Sequence, residues 1–490
     1  MQLRSFWAIW TIFTMCWISS AFGQAQWEQF RGAGGLGVAA AGQNLPVEFD
    51  RSKNVIWKCA VTKGHSSPCI WGNRIFLTGY AKRIFDTICI DRKSGKILWQ
   101  KSIPVENIER VHQISSPAAP TPTTDGERVF VYFGSYGLLC YDFEGNLVWE
   151  RKMPMPQNMY GTAASPMLAG GKLIIMDDRA EDSWLLALDP ETGDEIWKMD
   201  RAGFKAGWST PVYRQDGEVE EVLVYSKWRV VAFDLKDGSE RWTFPGLTDE
   251  PCITPVTGEG LVYLTSYNMR TNPEVIGLPK WSELLDEYDK DKDGELTLEE
   301  TKPNKSILSR FDADGEGDHP LWGFFRFLDV DRSGKINEKE WGKMIAYIDS
   351  FEFENALLAI RPGEAGRQAK VVWKDPNGVP ECPSPLYYQG RVYMVKDGGI
   401  ASCLDARTGE RKYQRLLGSG GPYYSSPVAA DGKIYVGSAR GMMTVFEAGD
   451  KLKVLARNNL KERIMATPAI VDGKIYVRTD KNLYAFGAKK

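Results

Sequence analysis

Eight Ser/Thr-Pro marks recur about every 43 residues, a fixed Gly-to-Trp step follows in four of the repeats, and one gap is too long by about two repeats. Together these predict an all-β fold, an eight-bladed β-propeller, carrying a small all-α insertion. The marks are Pro68, Pro122, Pro166, Pro211, Pro255, Pro385, Pro427 and Pro468, at successive gaps of 54, 44, 45, 44, 130, 42 and 41 residues. Gly95, Gly145, Gly193 and Gly238 stand four residues before Trp99, Trp149, Trp197 and Trp242, and Gly409 stands four before Tyr413. Asp bonds turn amides and Gly tolerates positive φ, so segments such as Asp91 to Gly95 read as strand-to-strand turns. A reused step to Trp implies one inter-strand register, with the indole packed between neighbouring units.

Each unit offers four short strands, the content of one blade. The last unit ends at Leu483-Tyr-Ala-Phe486, one strand short, and Asn54-Val-Ile-Trp57-Lys58 supplies the missing outer strand. Closing the ring in this way removes an open sheet edge. The expected division is a signal peptide at 1–23, propeller over 24–267 with a closing strand at 54–59, an insertion at 268–354 and propeller again over 355–490.

Composition agrees with a soluble globular chain: 43% hydrophobic, 26% charged, net charge −3. No basic footprint points to nucleic acid. Arg4 followed by an almost uncharged stretch to Ser20, then Ala21-Phe22-Gly23, reads as a cleavable export signal, with no further long apolar segment after it. The mature protein is expected to lie outside the cytoplasm, periplasmic or secreted, with no transmembrane segment after signal removal.

The long gap holds two near-complete calcium loops of the EF-hand type. The first carries Asp289, Asp291, Asp293, Glu295, Thr297 and Glu300 at loop positions 1, 3, 5, 7, 9 and 12, with Gly294 at position 6. The second carries Asp329, Asp331, Ser333, Lys335, Asn337 and Glu340, with Gly334 at position 6. Calcium takes six to eight oxygens, so alternating carboxylates converge on one point, the Gly allows the sharp turn, and position 12 gives a bidentate carboxylate. Position 7 contributes a backbone carbonyl, so the Lys335 side chain is expected to be a bystander. Leu296 and Ile336 at position 8 are placed to join the loops by a short β-bridge, and Pro303 shortens the first exiting helix. Asp312, Asp314, Glu316 and Asp318 lack a position-12 acid and read as a linker.

Other candidates are weaker. Gly32-x-Gly34-x-x-Gly37 follows no strand and opens no helix, so it reads as a flexible leader and not as a dinucleotide site. Cys89, Cys140 and Cys403 stand two residues before a strand-ending Asp, where other blades have Ala187 and Ala232, and are expected to be inert core residues. Cys252 and Cys382 stand three residues before their prolines, where other blades place His65, Ala119, Ala163, Trp208, Tyr424 and Met465. That ring lies nearest the axis and either plugs the channel or lines a ligand site. His65, His112 and His319 have no zinc spacing, and His65-Ser66 has no third group to complete a triad.

These repeats resemble the pyrroloquinoline-quinone-type propeller repeat, a family that includes quinoprotein dehydrogenases and the outer-membrane assembly lipoprotein BamB. The resemblance covers nearly everything outside 268–354, and Trp27-Glu-Gln-Phe30-Arg31-Gly32 looks like the leader of its secreted bacterial members. It implies the fold strongly and the activity weakly, because one scaffold hosts enzymes and binding modules. The first functional expectation is an exported, non-enzymatic platform for a protein partner, with calcium at two sites. The alternative is an oxidoreductase using pyrroloquinoline quinone, but the adjacent Cys-Cys pair and the C-x-x-C-H haem motif that the resemblance would bring are missing from the sequence.

Overall fold

The computed structural model describes residues 26–488 apart from 159, 180–181, 202–203, 205–206, 269–278, 303–305, 309–318 and 351–352. The signal peptide read at 1–23 and the acidic segment from Asp312 to Asp318 lie outside the described residues. Eight antiparallel sheets follow one another along the chain as the blades of a propeller. Blade three shows the pattern: Met167–Ala169, Lys172–Asp177, Trp184–Leu188 and Glu195–Asp200, hydrogen-bonded in that order from the axis outward. Its two middle strands are buried almost throughout, because neighbouring blades cover both faces, whereas its outermost strand is mostly exposed. This is why the middle strands read as unbroken apolar runs rather than alternating ones.

Adjacent blades are joined by the tryptophans. The Trp149 indole lies over the turn of the next blade, where a Cβ on Gly193 would fall 2.8 Å from the ring, and its Nε1–H donates to the Pro190 carbonyl at 3.1 Å. Trp99 donates to Phe143 O at 2.9 Å and Trp197 to Leu235 O at 3.2 Å, each acceptor being the residue after a strand-ending Asp. Gly193 has φ +76°, so side-chain size and backbone conformation both demand glycine there. Trp57 on Gly95 and Trp373 on Gly409 continue the series at blades eight and five. Opposite these indoles on the next strand inward stand Cys89, Cys140, Ala187 and Ala232, and Cys403 faces Tyr413 in the same way. All three cysteines are fully buried and free, and burial pushes each thiol up to about 12.

Val55–Ala60 is the outermost strand of blade eight, paired with Asn482–Gly487 through Trp57 with Ala485 and Cys59 with Leu483. A strand from early in the chain thus shares one sheet with the last three strands. Trp57 extends the closure to blade one by donating to Arg92 O at 3.0 Å.

The glycine-rich leader departs from its expectation of flexibility. Trp27 pairs with Ile70 on the inner edge of blade one, the turn Ala33–Gly35 packs on blade four, and Val38 bridges to Ala429 of blade seven. Arg31 is fully buried and donates from Nη2 to Pro385 O of blade six at 2.7 Å. The leader therefore crosses the ring and is anchored on both sides of the axis. Its glycines serve close packing: a Cβ on Gly32 would lie 2.7 Å from the Trp27 ring.

The insertion leaves blade five after Leu261–Ser266 and returns at Ala356–Arg361, which pairs with that same strand. Among the described residues it carries three helices, α1 (Trp281–Tyr288), α2 (Leu321–Leu328) and α3 (Glu338–Asp349). Trp281, Leu284, Phe325, Leu328, Trp341 and Met344 build a core of its own. No helix among the described residues is long and apolar enough to cross a membrane.

Trp57 is 8% exposed and sits at the seam where the N-terminal strand closes the ring onto blade one. Trp57→Ala should cost about 3–5 kcal/mol of stability, the usual penalty for emptying a large aromatic site. Chemical denaturation of the full chain measures it, and an unchanged midpoint would refute the closure role.

Candidate functional sites: the paired acidic loops and the axial cavity

In the insertion, Asp289, Asp291 and Asp293 present carboxylate oxygens within 4.8 Å of one another, and so do Asp329, Asp331 and Glu340. Both loops are shaped by the same local bonds. Gly294 N–H donates to Asp289 and Gly334 N–H to Asp329, each at 3.0 Å, with glycine φ of +84° and +83°. Leu296 pairs with Ile336 and Thr297 with Lys335, and the two apolar partners are fully buried between the loops. Glu300 accepts the Thr297 and Lys290 amides at 2.9 and 3.0 Å, and Glu340 accepts those of Asn337 and Val330 at 3.1 and 2.9 Å. Ser333 Oγ donates to the Lys335 carbonyl at 3.1 Å. Across Glu300 the chain makes a turn in which Thr301 N–H donates to Thr297 O, and Pro303 lies outside the described residues.

The charges respond to these contacts. Hydrogen bonds from Thr297 hold the Glu300 carboxyl below its ordinary value, and the Ser333 hydroxyl does the same for Asp331. The Lys335 ammonium pairs with Asp293 and stands 3.6 Å from Glu295, which lowers Asp293 and raises Lys335. The Lys335 side chain is thus a neighbour of the first loop's carboxylates, a role that loop position alone did not reveal.

The second site lies on the axis. At seven of the eight marked prolines the preceding Ser or Thr turns its hydroxyl to the blade before it. Ser67 N–H donates to Thr121 Oγ1 at 2.9 Å, Thr121 N–H to Ser165 Oγ at 3.0 Å, and Ser165 N–H to Thr210 Oγ1 at 3.1 Å. Thr254 to Ser384, Ser384 to Ser426, Ser426 to Thr467 and Thr467 to Ser67 repeat the bond at 2.9–3.1 Å. Above this girdle a cavity of about 200 Å³ remains, lined by the ring at His65, Trp208, Cys252, Cys382, Tyr424 and Met465, by Tyr160, Glu250 and Glu381, and by Phe30 of the leader. Bulky side chains therefore narrow the channel without filling it.

Trp208 is fixed by its Nε1–H donating to Gly161 O at 2.9 Å and by an edge contact with Tyr160 at 5.1 Å. Burial, reinforced by Arg478, pushes His65 down to about 3, so its ring is neutral. Glu250 is pushed up to about 7 by desolvation and by Asp249 and Glu381. Tyr347 of α3 lies close enough to Asp249 and Glu250 for their charges to add to the burial that raises its phenol, which places the insertion beside the cavity rim.

The acidic loops were readable residue by residue from their spacing. The hydroxyl girdle was present in the sequence as the Ser/Thr of each Ser/Thr-Pro mark, but its bonding across blades has no sequence signature. Glu250, Glu381 and Tyr160 carried no signal, because they reach the axis from loops.

Comparison with known proteins follows this division. A family described as outer membrane protein assembly factor BamB matches residues 16–198, 181–284 and 366–450, and an EF-hand family matches 283–302 and 324–345. No curated protein matches. Among solved structures, BamB from Moraxella catarrhalis is similar at 12% identity and a TM-score of 0.51, over 88% of this chain and 100% of that one. Quinohemoprotein alcohol dehydrogenase from Comamonas testosteroni is similar at 13% identity and 0.55, over 95% and 81%. A europium-containing methanol dehydrogenase is similar at 13% identity and 0.53, over 95% and 98%. At these identities the likeness is one of fold.

Burial also sets a pH limit on the loops that frame the cavity. Glu109 is 3% exposed, accepts the Thr162 amide and hydroxyl at 2.9 and 3.0 Å, and is pushed up to about 7, chiefly by desolvation. A carboxyl raised in the folded state favours folding while it is protonated, and that contribution is lost as pH rises from its unfolded value near 4.5 through about 7. Glu109→Gln should therefore melt higher than the wild type at pH 8, by up to about 3 kcal/mol, and show little difference at pH 5. Paired melting curves across this range check the sign.

Proposed function

Because this chain belongs to the outer membrane protein assembly factor BamB family, we propose that it is an exported, calcium-binding propeller acting as a non-enzymatic platform for a protein partner. The observation that carries the reading is the pair of acidic loops, each gathering three carboxylates and joined to the other by one buried β-bridge. The donor set is all oxygen, as calcium requires. Asp289, Asp291, Asp293, the Glu295 carbonyl, Thr297 and Glu300 would hold one ion. Asp329, Asp331, Ser333, the Lys335 carbonyl, Asn337 and Glu340 would hold the other. Bound calcium supplies the positive charge that lets these carboxylates stay together, and so stiffens the insertion.

A platform needs surface to offer. The insertion exposes Trp322, Phe327, Val330 and Tyr347 to 48%, 63%, 62% and 55%. Apolar groups gathered on so small a module favour contact with another protein. Export is supported by the leader read at 1–23 and by the likeness to BamB.

The oxidoreductase reading ranks second. Pyrroloquinoline quinone carries three carboxylates and calls for cationic partners. Among the described residues, the cavity lining offers Glu250 and Glu381 and no Arg or Lys, which does not fit it. A visible chromophore retained after adding the quinone to purified protein would reverse this order.

Glu300→Gln and Glu340→Gln each remove one charge from a bidentate ligand, so each should weaken one site by roughly tenfold or more and leave the other unchanged. Lys335→Ala removes the ammonium that competes for Asp293 and should tighten the first site. Calorimetric titration of the full chain reads all three. Two binding events in the wild type are expected, and no heat at millimolar calcium would defeat the assignment. Capture from an exported-protein fraction, stronger with calcium than with chelator, would support the platform role.

A further inference from the structure

We propose that Cys252 and Cys382 form a reversible disulfide across the seam between blades five and six, a redox-modification site that faces the axial cavity. Each stands three residues before its blade's proline, so the two occupy one register position on neighbouring inner strands. Two residues further on, Thr254 N–H donates to Ser384 Oγ at 2.9 Å and holds those strands side by side. The two thiols are within hydrogen-bonding reach of each other. Both line the cavity and both are partly exposed. The other described cysteines, Cys59, Cys69, Cys89, Cys140 and Cys403, are buried. Access and proximity thus single out this pair among the described cysteines.

The chemistry is thiol–disulfide exchange. One thiolate attacks a small disulfide and expels one thiolate of that reagent. The second cysteine then attacks the mixed disulfide and expels the other. The protein gives up two thiol protons and two electrons, and the disulfide oxidant becomes two thiols. Two thiols at the same register on strands tied together two residues further on need only a local approach to reach a bond of about 2.05 Å. The new bond would close a chain loop that contains the whole insertion, adding a covalent tie at the one seam spanned by a 130-residue separation of prolines.

The test uses the full chain and glutathione disulfide as oxidant. After treatment, denaturation and alkylation without reductant, the expected result is two fewer alkylated thiols than in the reduced protein. Peptide mapping should show one link, Cys252 to Cys382. The oxidised protein should melt a few degrees higher, and reductant should reverse the shift. Cys252→Ser should yield a glutathione adduct on Cys382, no internal link and no rise in melting temperature. Full alkylation of both cysteines after oxidant, or a link that uses any other cysteine, would overturn the proposal.

Discussion

The hydrogen bond from one blade's inner-strand amide to the next blade's Ser or Thr hydroxyl is the contact on which the ring depends. It recurs around the axis with nearly constant length, from Ser67 onto Thr121 to Thr467 back onto Ser67. Each such bond contributes only about 1 kcal/mol net, but losing a hydroxyl would strand a buried amide at the point where eight blades converge. Proline in the next position has no N–H of its own to satisfy, and its fixed φ suits the start of a short strand. The Ser/Thr-Pro pair is therefore a geometric device: one residue binds the neighbouring blade and the next starts its own.

Towards the rim the same task passes to tryptophan. An indole that covers the turn glycine of the next blade and donates to its carbonyl sets the spacing between blades, much as the hydroxyl does at the axis. With both radii fixed, blade five can tolerate a long insertion. The chain departs from Ser266 and returns at its direct partner Ala356, so the excursion leaves the ladder intact. The insertion keeps its own core, and Tyr347 of its α3 lies within reach of the Asp249 and Glu250 charges.

The cavity and the acidic loops thus have different physical characters. The loops are each formed from one continuous stretch, and local amide and hydroxyl donors lower Glu300 and Asp331. The cavity is assembled from every blade, and burial raises the carboxyls of Glu250 in its lining and of Glu109 nearby. A hard cation suits the first environment. Neutral side chains suit the second.

Periodicity and local turn chemistry determined much of this protein from sequence alone. The blade number, the Trp register, the core cysteines and the form of both acidic loops follow from residues close together in the chain, where spacing and geometry are the same thing. What crosses between blades was decided only by the tertiary structure. Arg31 carried no sign that its guanidinium would reach Pro385 O, because that contact joins residues hundreds of positions apart. The leader read as flexible for the same reason: its glycines match no local element, and only the ring shows that they permit close packing. Lys335 beside Asp293, and Cys252 beside Cys382, are likewise products of two strands meeting. Local rules specify a backbone's turns and faces, and proximity between distant segments appears only when the ring closes.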